Sequence, residues 1–433
     1  MSDQNTIFAV ATGYGAAGVA VVRISGPASW STIGRMTNKP LPEPRRLVRR
    51  WIQGSDGTAL DDALVVLFSA EASFTGEPVA ELHCHGSRAV LDAVLGELAE
   101  FDGLRVAEPG EFTRRAFDNG RMDLNEVEGL GDLVRAETEF QRRQALRVMS
   151  GAASDQISAW RQSLVRARAL IEVTIDWADE EVPEDVSPEF VQLLGNVASQ
   201  IRTELANFAR TERLREGFEV AIIGPPNVGK STLLNAIAGR DVAITSDIAG
   251  TTRDVIEARC DLQGLPVTFL DTAGIRESSD TIEKTGVEVA LRRAISADLR
   301  LILTSSDGAI DVHDIAKEGD VTIWSKGDLG DGPADIVVSA LTGDGVGELL
   351  SLVGELLLKR VDELSVFGHR RQKDHMARCL KATEYALNDA HKVDVEVLAE
   401  HLRVALTELD SLSGRSAVED VLGEVFSSFC LGK

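Results

Sequence analysis

A chain of 433 residues is too long for one hydrophobic core, so two or three domains are expected. Hydrophobic content of 44% beside 26% charged residues is that of a folded globular protein, and no run of about 18 apolar residues exists to span a membrane. The net charge of −24 excludes a general nucleic-acid coat and leaves room only for local contacts to RNA.

The start, MSDQNTIFAVATGYG, lacks the basic segment and long apolar stretch of a secretory signal. Cys84, Cys260, Cys379 and Cys430 lie far apart and form no CxxC pair. Reduced thiols in a cytoplasmic protein are therefore expected.

In chain order, residues 1–118 mix short strands (TIFAVAT, VAVVRIS, DALVVLF, PVAELHCH) with a helical stretch, RAVLDAVLGELAEF, and predict an α+β N-terminal domain. Within it, alternation along a strand sets His83 and His85 on one face and Cys84 on the other. A structural zinc needs four ligands, and no partner cluster accompanies them, so ordinary strand-end histidines are expected. From 119 to 215 apolar residues recur at spacings of three and four, predicting long helices interrupted by an exposed acidic loop, WADEEVPEDVSPEF.

Residues 216–357 alternate strands (FEVAII, PVTFLD, LRLILT, VTIWSK, DIVVSA) with helices, the pattern of a largely parallel sheet covered on both faces. Residues 358–433 return to helix. The simplest architecture is an α/β and α multidomain chain, with the α/β domain inserted into a helical domain built from both flanks. Basic runs at 44–50, 140–147, 161–170 and 368–378 are read as solvated faces. Cys260 and Cys379 fit strand-like and helical patterns as small core residues.

Near the end, Ser416 with Glu419 makes a capping box. Val418, Val421, Leu422, Val425, Phe426 and Phe429 then form one apolar stripe, so this helix should dock. Gly432 stops it beside Lys433, and Cys430 is read as a packing residue.

The chemistry sits in the α/β segment. Gly224-Pro225-Pro226-Asn227-Val228-Gly229-Lys230-Ser231 is GxxxxGKS between the strand FEVAII and the helix STLLNAIAG, the context a P-loop requires. Glycines let backbone N–H groups curl around phosphates, and the helix points its positive end at them. Lys230 should reach the terminal phosphates and the Ser231 hydroxyl should bind Mg2+.

Ser246-Asp247-Ile248-Ala249-Gly250-Thr251-Thr252 fits a switch loop whose Thr252 closes on Mg2+ and the γ-phosphate. Asp271-Thr272-Ala273-Gly274 fits a Walker-B carboxylate followed by a γ-phosphate-sensing glycine. Asp328, in Ser325-Lys326-Gly327-Asp328, can accept guanine's N1–H and amino group, while Lys326 lies along the base and Ser339-Ala340 donates a backbone N–H to the guanine oxygen. GTP contacts are thus expected across these motifs, with Thr232 included at the start of the P-loop helix.

Two departures matter. Ser325 stands where NKxD has Asn, and the shorter side chain should lose a tie to the P-loop and weaken nucleotide binding. Ile275 follows the DTAG run, where Ras-like proteins use Gln to orient water, so hydrolysis needs another device. Asn227 and the SDIAGTT loop could hold a monovalent cation against the phosphates, and Glu283 could position water through a second water. By spacing alone Glu283 is a solvated helix carboxylate.

With GVAVVRISGP, FTGEPVAELHCHG, EPGEFTRRAFDNGRMDLNEVEGL and the terminal FCLGK, the chain resembles the MnmE (TrmE) family of tRNA modification GTPases over essentially its whole length. The resemblance implies an N-terminal folate-binding-like domain that also dimerises, making a homodimer. It implies an FAD-dependent partner, MnmG (GidA), in a heterotetramer that installs a carboxymethylaminomethyl or aminomethyl group on C5 of the wobble uridine of certain tRNAs.

It further implies contacts to 5-formyl- or methylene-tetrahydrofolate from Arg23, Glu81, Arg121 and Lys433. K+ ligands would be Asn227, Ser246, Ile248 and Thr251, and Mg2+ ligands Ser231 and Thr252. Glu283 would act with Lys230 and Thr252 in hydrolysis. Arg121, Ser246 and Leu431 stand where the family commonly has Lys, Thr and Ile. A GTP-switched ribosome-assembly factor is the competing reading; it would need neither the folate-like domain nor Lys433.

Overall fold

The structure, a computed structural model, describes residues 5–13, 15–176, 188–240, 242–244, 257–271, 295–306, 317, 319–361, 363–389, 394–415, 419–427, 429 and 432. The chain forms two compact units. One comprises Met1–Gly131, Ser154–Ser158 and Thr407–Lys433, the other Asp132–Ala153 and Ala159–Leu406.

The first unit is built on six strands, β1 (Thr6–Val10), β2 (Ala17–Ser25), β3 (Val48–Gln53), β4 (Ala59–Phe68), β5 (Val79–Gly86) and β6 (Leu104–Val106), in the order β3-β4-β5-β2-β1-β6. All pairs are antiparallel except β1 with β6. Period-two alternation divides the side chains. Phe8, Val22, Ile24, Val65, Leu82 and Cys84 face a core closed by Ile33 and Met36 of helix Ser29–Thr37 and by Leu91, Val94 and Leu98 of helix Arg88–Ala99. Ile7 and Ala9 cluster instead with Ala107, Phe112 and Phe74, while Arg23 stands opposite Glu81 across the β2–β5 ladder. β3 and β6 are the strands the sequence pattern missed: VRRWIQ is charged at an edge, and LRV is only three residues long.

The terminal helix Glu419–Ser427 belongs to this unit. Leu422, Phe426 and Phe429 are buried with Leu124 and Val127, with Val425 packed alongside. Phe426 also meets Phe117, ring centroids 6.0 Å apart. The docking stripe is as its periodicity predicts; Ser416, Val418 and Cys430 lie outside the described residues.

The second unit holds the other sheet, with β7 (Phe218–Ile223), β8 (Glu257–Leu262), β9 (Leu265–Asp271), β10 (Leu299–Thr304), β11 (Val321–Ser325) and β12 (Ile336–Val338) in the order β12-β11-β10-β7-β9-β8. It is parallel apart from β8, which runs antiparallel to β9. β7, β9 and β10 bury nearly every residue, as strands covered on both faces do. β8, signalled in the sequence only by the strand-like setting of Cys260, buries Ala258, Cys260 and Leu262 and turns Glu257 and Arg259 outward.

Helices Glu139–Met149, Pro188–Glu216 and Arg370–Asp389 lie in the same unit. Trp160 stacks on Phe367 at 5.6 Å and donates its indole N–H to Gln200. The basic runs at 140–147 and 161–170 carry ion-paired faces: Arg142 and Arg143 bind Glu139, Arg166 binds Glu189 and Arg168 binds Glu172.

Candidate functional site: a phosphate loop, a neighbouring cavity and a charged sheet face

At the carboxyl end of β7 the chain turns through residues 224–229 into helix Lys230–Ala238, the crevice where parallel α/β sheets bind ligands. Gly229 (φ 102°) and Asn227 (φ 62°) take the left-handed conformation that curls the loop. Lys230 is only 6% exposed and its ammonium donates to the Gly224 and Pro225 carbonyls at 2.7 and 2.8 Å. Burial pushes its pKa down, with Asp271 opposing.

Ser231 Oγ donates to Asp271 Oδ2 at 2.5 Å, which brings the P-loop hydroxyl and the carboxylate at the end of β9 together. Two hard oxygen donors side by side suit Mg2+, which takes one or two protein ligands beside phosphates and water.

The Ser325–Asp328 and Ser339-Ala340 segments converge on the same edge. Asn227, Thr232, Lys326, Asp328, Ala340 and Leu341 line one cavity of about 330 Å³. Ser339 Oγ donates to Asp328 Oδ1 at 2.7 Å and holds that carboxylate in place. The Gly327 N–H donates to the Val338 carbonyl, and a Cβ at Gly327 would lie 2.9 Å from Val337 Cγ1. Leu329 and Leu341, which the motif reading passed over, line the cavity while 77% and 81% exposed. Apolar side chains left in water beside a polar pocket suit a flat base; their only sequence signal is adjacency to Asp328 and Ala340.

Ser325 corrects an expectation. Its buried hydroxyl lies 2.7 Å from the Val228 carbonyl and 3.0 Å from that of Thr304, so the tie to the P-loop is kept by a shorter side chain. The backbones approach closely enough that an amide is unnecessary. Ser246, Asp247, Ile248, Ala249, Gly250, Thr251, Thr252, Thr272, Ala273, Gly274, Ile275, Glu283, Leu431 and Lys433 lie outside the described residues.

In the first unit, Arg23 Nε donates to Glu81 Oε1 at 3.0 Å, and His83 Nε2 lies 3.4 Å from Oε2. The Arg23 guanidinium sits 5.6 and 5.8 Å from the ring centroids of Phe74 and Phe112. The loop carrying Phe74 is pinned by Ser25, whose hydroxyl meets Thr75 and Glu77, by Arg115 on Glu77, and by Asn119 on the Thr75 carbonyl. Arg121 lies against Gly76 of that loop: a Cβ there would fall 3.2 Å from Arg121 Cγ. Gly432 packs on the end of β1, where an added Cβ would lie 2.1 Å from the Val10 carbonyl oxygen. The result is a charged, partly aromatic surface with carboxylate and guanidinium side by side, chemically suited to a heterocycle with donor and acceptor edges.

The His83-Cys84-His85 run splits between the two sides of β5. Cys84 is buried on the core side with its thiol pushed up to about 12 by burial, while His83 and His85 each face a carboxylate, Glu81 and Asp61. Among the described residues no group of three potential ligands could hold a metal.

The model of the GTP-binding protein TrmE N-terminus matches residues 6–121, and that of the MnmE helical domain matches residues 124–430. A tRNA modification GTPase MnmE from Roseobacter denitrificans is 49% identical over 432 residues, 99% of this chain and 100% of its own. Another from Cereibacter sphaeroides is 50% identical over 434 residues with the same coverage. Among solved structures, a variant of Era from Aquifex aeolicus bound to GDP and aluminium fluoride matches 38% of this chain and 66% of its own, at 28% identity and a TM-score of 0.25. With both models matched in tandem and relatives aligned end to end, the chain belongs to the MnmE (TrmE) family of tRNA modification GTPases.

Proposed function

We propose that this chain is a potassium-assisted GTPase whose cycle drives wobble-uridine modification of tRNA. It works as a homodimer and, with the FAD-dependent protein MnmG, as a cytoplasmic heterotetramer. The observation that carries the reading is the convergence, on one edge of the parallel sheet, of the Ser231–Asp271 pair with the Asp328–Ser339 pair. The first suits a magnesium-bound phosphate chain and the second suits guanine.

Asp328 accepts the guanine N1–H and amino group, and the Ser339 hydroxyl keeps its carboxylate aimed. Lys230 exchanges its carbonyl partners for the terminal phosphates. Ser231 and Thr252 hold Mg2+, while Asn227, Ser246, Ile248 and Thr251 hold K+. The cations supply positive charge to the phosphoryl oxygens in the transition state. Glu283 orients the attacking water in place of the glutamine that Ile275 displaces.

In the N-terminal segment, Glu81 receives the N–H edge of a tetrahydrofolate pterin beside Arg23, Arg121 and Lys433. This one-carbon unit serves the C5 aminomethyl or carboxymethylaminomethyl group. The proposed division is 1–118 for folate binding and dimerisation, 119–215 and 358–433 for the helical domain, and 216–357 for the G domain.

The test is GTP turnover in potassium against sodium buffer, paired with nucleoside analysis of tRNA from cells lacking the protein. Turnover at least about tenfold faster in potassium is expected, since charge-stabilising groups at the phosphoryl oxygens contribute on that scale or more. Equal rates would remove the cation mechanism. An unchanged wobble-uridine profile would remove the modification role.

A further inference from the structure

The turn between β8 and β9 is gripped from outside its own sheet. Gln263 and Gly264 both carry positive φ, 56° and 90°, the two-residue turn that suits a twisted hairpin. The ring of Phe140, in the first turn of helix Glu139–Met149, lies so close over Gly264 that an added Cβ would sit 2.8 Å from Cδ2. The Phe140 N–H donates to the Gly264 carbonyl at 3.2 Å. Arg259 of β8 reaches Glu137 at 3.8 Å. On the other side, the Gln263 amide reaches the Ser351 carbonyl at 3.4 Å.

The helix that grips the turn is itself tied onward. Gln141 donates to the Arg215 carbonyl at 3.1 Å and Gln144 to the Ser365 carbonyl at 2.7 Å, and residue 365 precedes helix Arg370–Asp389 by five positions. Beside the grip lies a cavity of about 510 Å³ bordered by Glu137, Gln141, Arg215 and Arg259, so the helix has open space to shift into.

We infer that the β8–β9 turn and Phe140 form a coupling joint that passes the nucleotide state to the helical segment. The inference rests on the GTPase reading of the same motifs. β8 follows directly on the segment with Thr251 and Thr252, and β9 ends at Asp271 before Thr272-Ala273-Gly274. A two-stranded ribbon fixed to phosphate-contacting segments at one end moves as a stiff unit. Its turn displaces whatever is packed on it, and here that is the start of helix Glu139–Met149 rather than solvent. A two-residue hairpin turn closes by its own backbone geometry and needs no outside partner. This one has a backbone hydrogen bond, a ring contact with no room for a methyl group, and an ion pair.

Hydrogen exchange of the full-length protein tests the joint, comparing GDP with a non-hydrolysable GTP analogue in wild type, Phe140→Ala and Phe140→Leu. Nucleotide affinity is measured in parallel with a fluorescent derivative. In wild type, amide exchange across residues 140–149 should differ at least about fivefold between the two nucleotides, the low end of ordinary coupling between sites. In Phe140→Ala the difference should fall within about twofold, with Phe140→Leu intermediate, because the leucine keeps part of the contact. By reciprocity, a joint that responds to the nucleotide also acts back on it, so the ratio of GTP-analogue to GDP affinity should change in Phe140→Ala. Bound nucleotide with no exchange difference in wild type, or a difference that survives in Phe140→Ala, overturns the joint while leaving the GTPase reading intact. Failure to bind guanine nucleotide at all would overturn that reading, and the joint with it.

Discussion

At the scale of single residues, Ser325 shows how a motif departure is absorbed. A serine hydroxyl has one proton to give, and two carbonyls, Val228 and Thr304, stand within 3.0 Å of it. Losing that donor strands a buried carbonyl, which costs about 1–3 kcal/mol. Ser325→Ala should therefore weaken GTP binding by about tenfold, read from a fluorescent-nucleotide titration; unchanged affinity would show that the P-loop needs no such tie. The motif alone suggested the opposite, a tie already lost, because side-chain length is visible in sequence and the distance between two backbones is not.

Glu139 offers a pH test at the same scale. Hydrogen bonds from Arg142 and Arg143, at 2.8 and 2.6 Å, hold its carboxyl down at about 2. A depressed carboxylate pKa contributes stability that is complete above the ordinary value of 4.5 and is lost as pH falls through about 2. A carboxyl NMR titration should find Glu139 still ionised at pH 3.5, between those two values. A midpoint near 4.5 would mean the arginines do not hold it in solution.

At the scale of elements, the terminal helix is where periodicity and packing agree. The spacing of Leu422, Val425, Phe426 and Phe429 predicts a docked face, and those side chains are packed against Leu124, Val127 and Phe117. Replacing a buried phenylalanine by alanine costs about 3–5 kcal/mol. Phe426→Ala should thus lower the urea midpoint of the first unit, followed by residue-level hydrogen exchange on β1 and β2; an unmoved midpoint would mean that the helix is not docked in solution. Gly110 marks how tight the seam is, since it has φ 72° and a Cβ there would sit 2.2 Å from the Phe426 carbonyl oxygen. Nothing in the string EPGEF announces that partner.

The longer strands that were hardest to read in the sequence share a cause. β3 and β8 lie at sheet edges, where one side is solvated and charged residues interrupt the apolar pattern. Strands buried on both faces, such as β7 and β10, read as continuous apolar runs and were legible at once.

At the scale of the whole molecule, the acidic excess is compatible with the basic runs at 140–147 and 161–170 because carboxylates pair with them in place. Arg142 and Arg143 on Glu139, Arg166 on Glu189 and Arg168 on Glu172 leave ion-paired faces rather than a phosphate-binding stripe. The same scale explains the tail. The segment Thr407–Lys433 belongs to one compact unit with the N-terminal sheet, and Gly432 rests on the last residues of β1, more than 400 positions away in sequence.

By itself the sequence determined the nucleotide chemistry: GxxxxGKS, DTAG and SKGD are local strings whose meaning is set by a strand before them or a helix after them, and local order is what a sequence records. Only the tertiary structure decided that Ser325 still ties its loop to the P-loop. It also decided that Arg23 faces Glu81 across a ladder, and that Phe140 closes over Gly264. Those depend on how far apart two distant backbones come to rest, a distance set by the packing of everything between them.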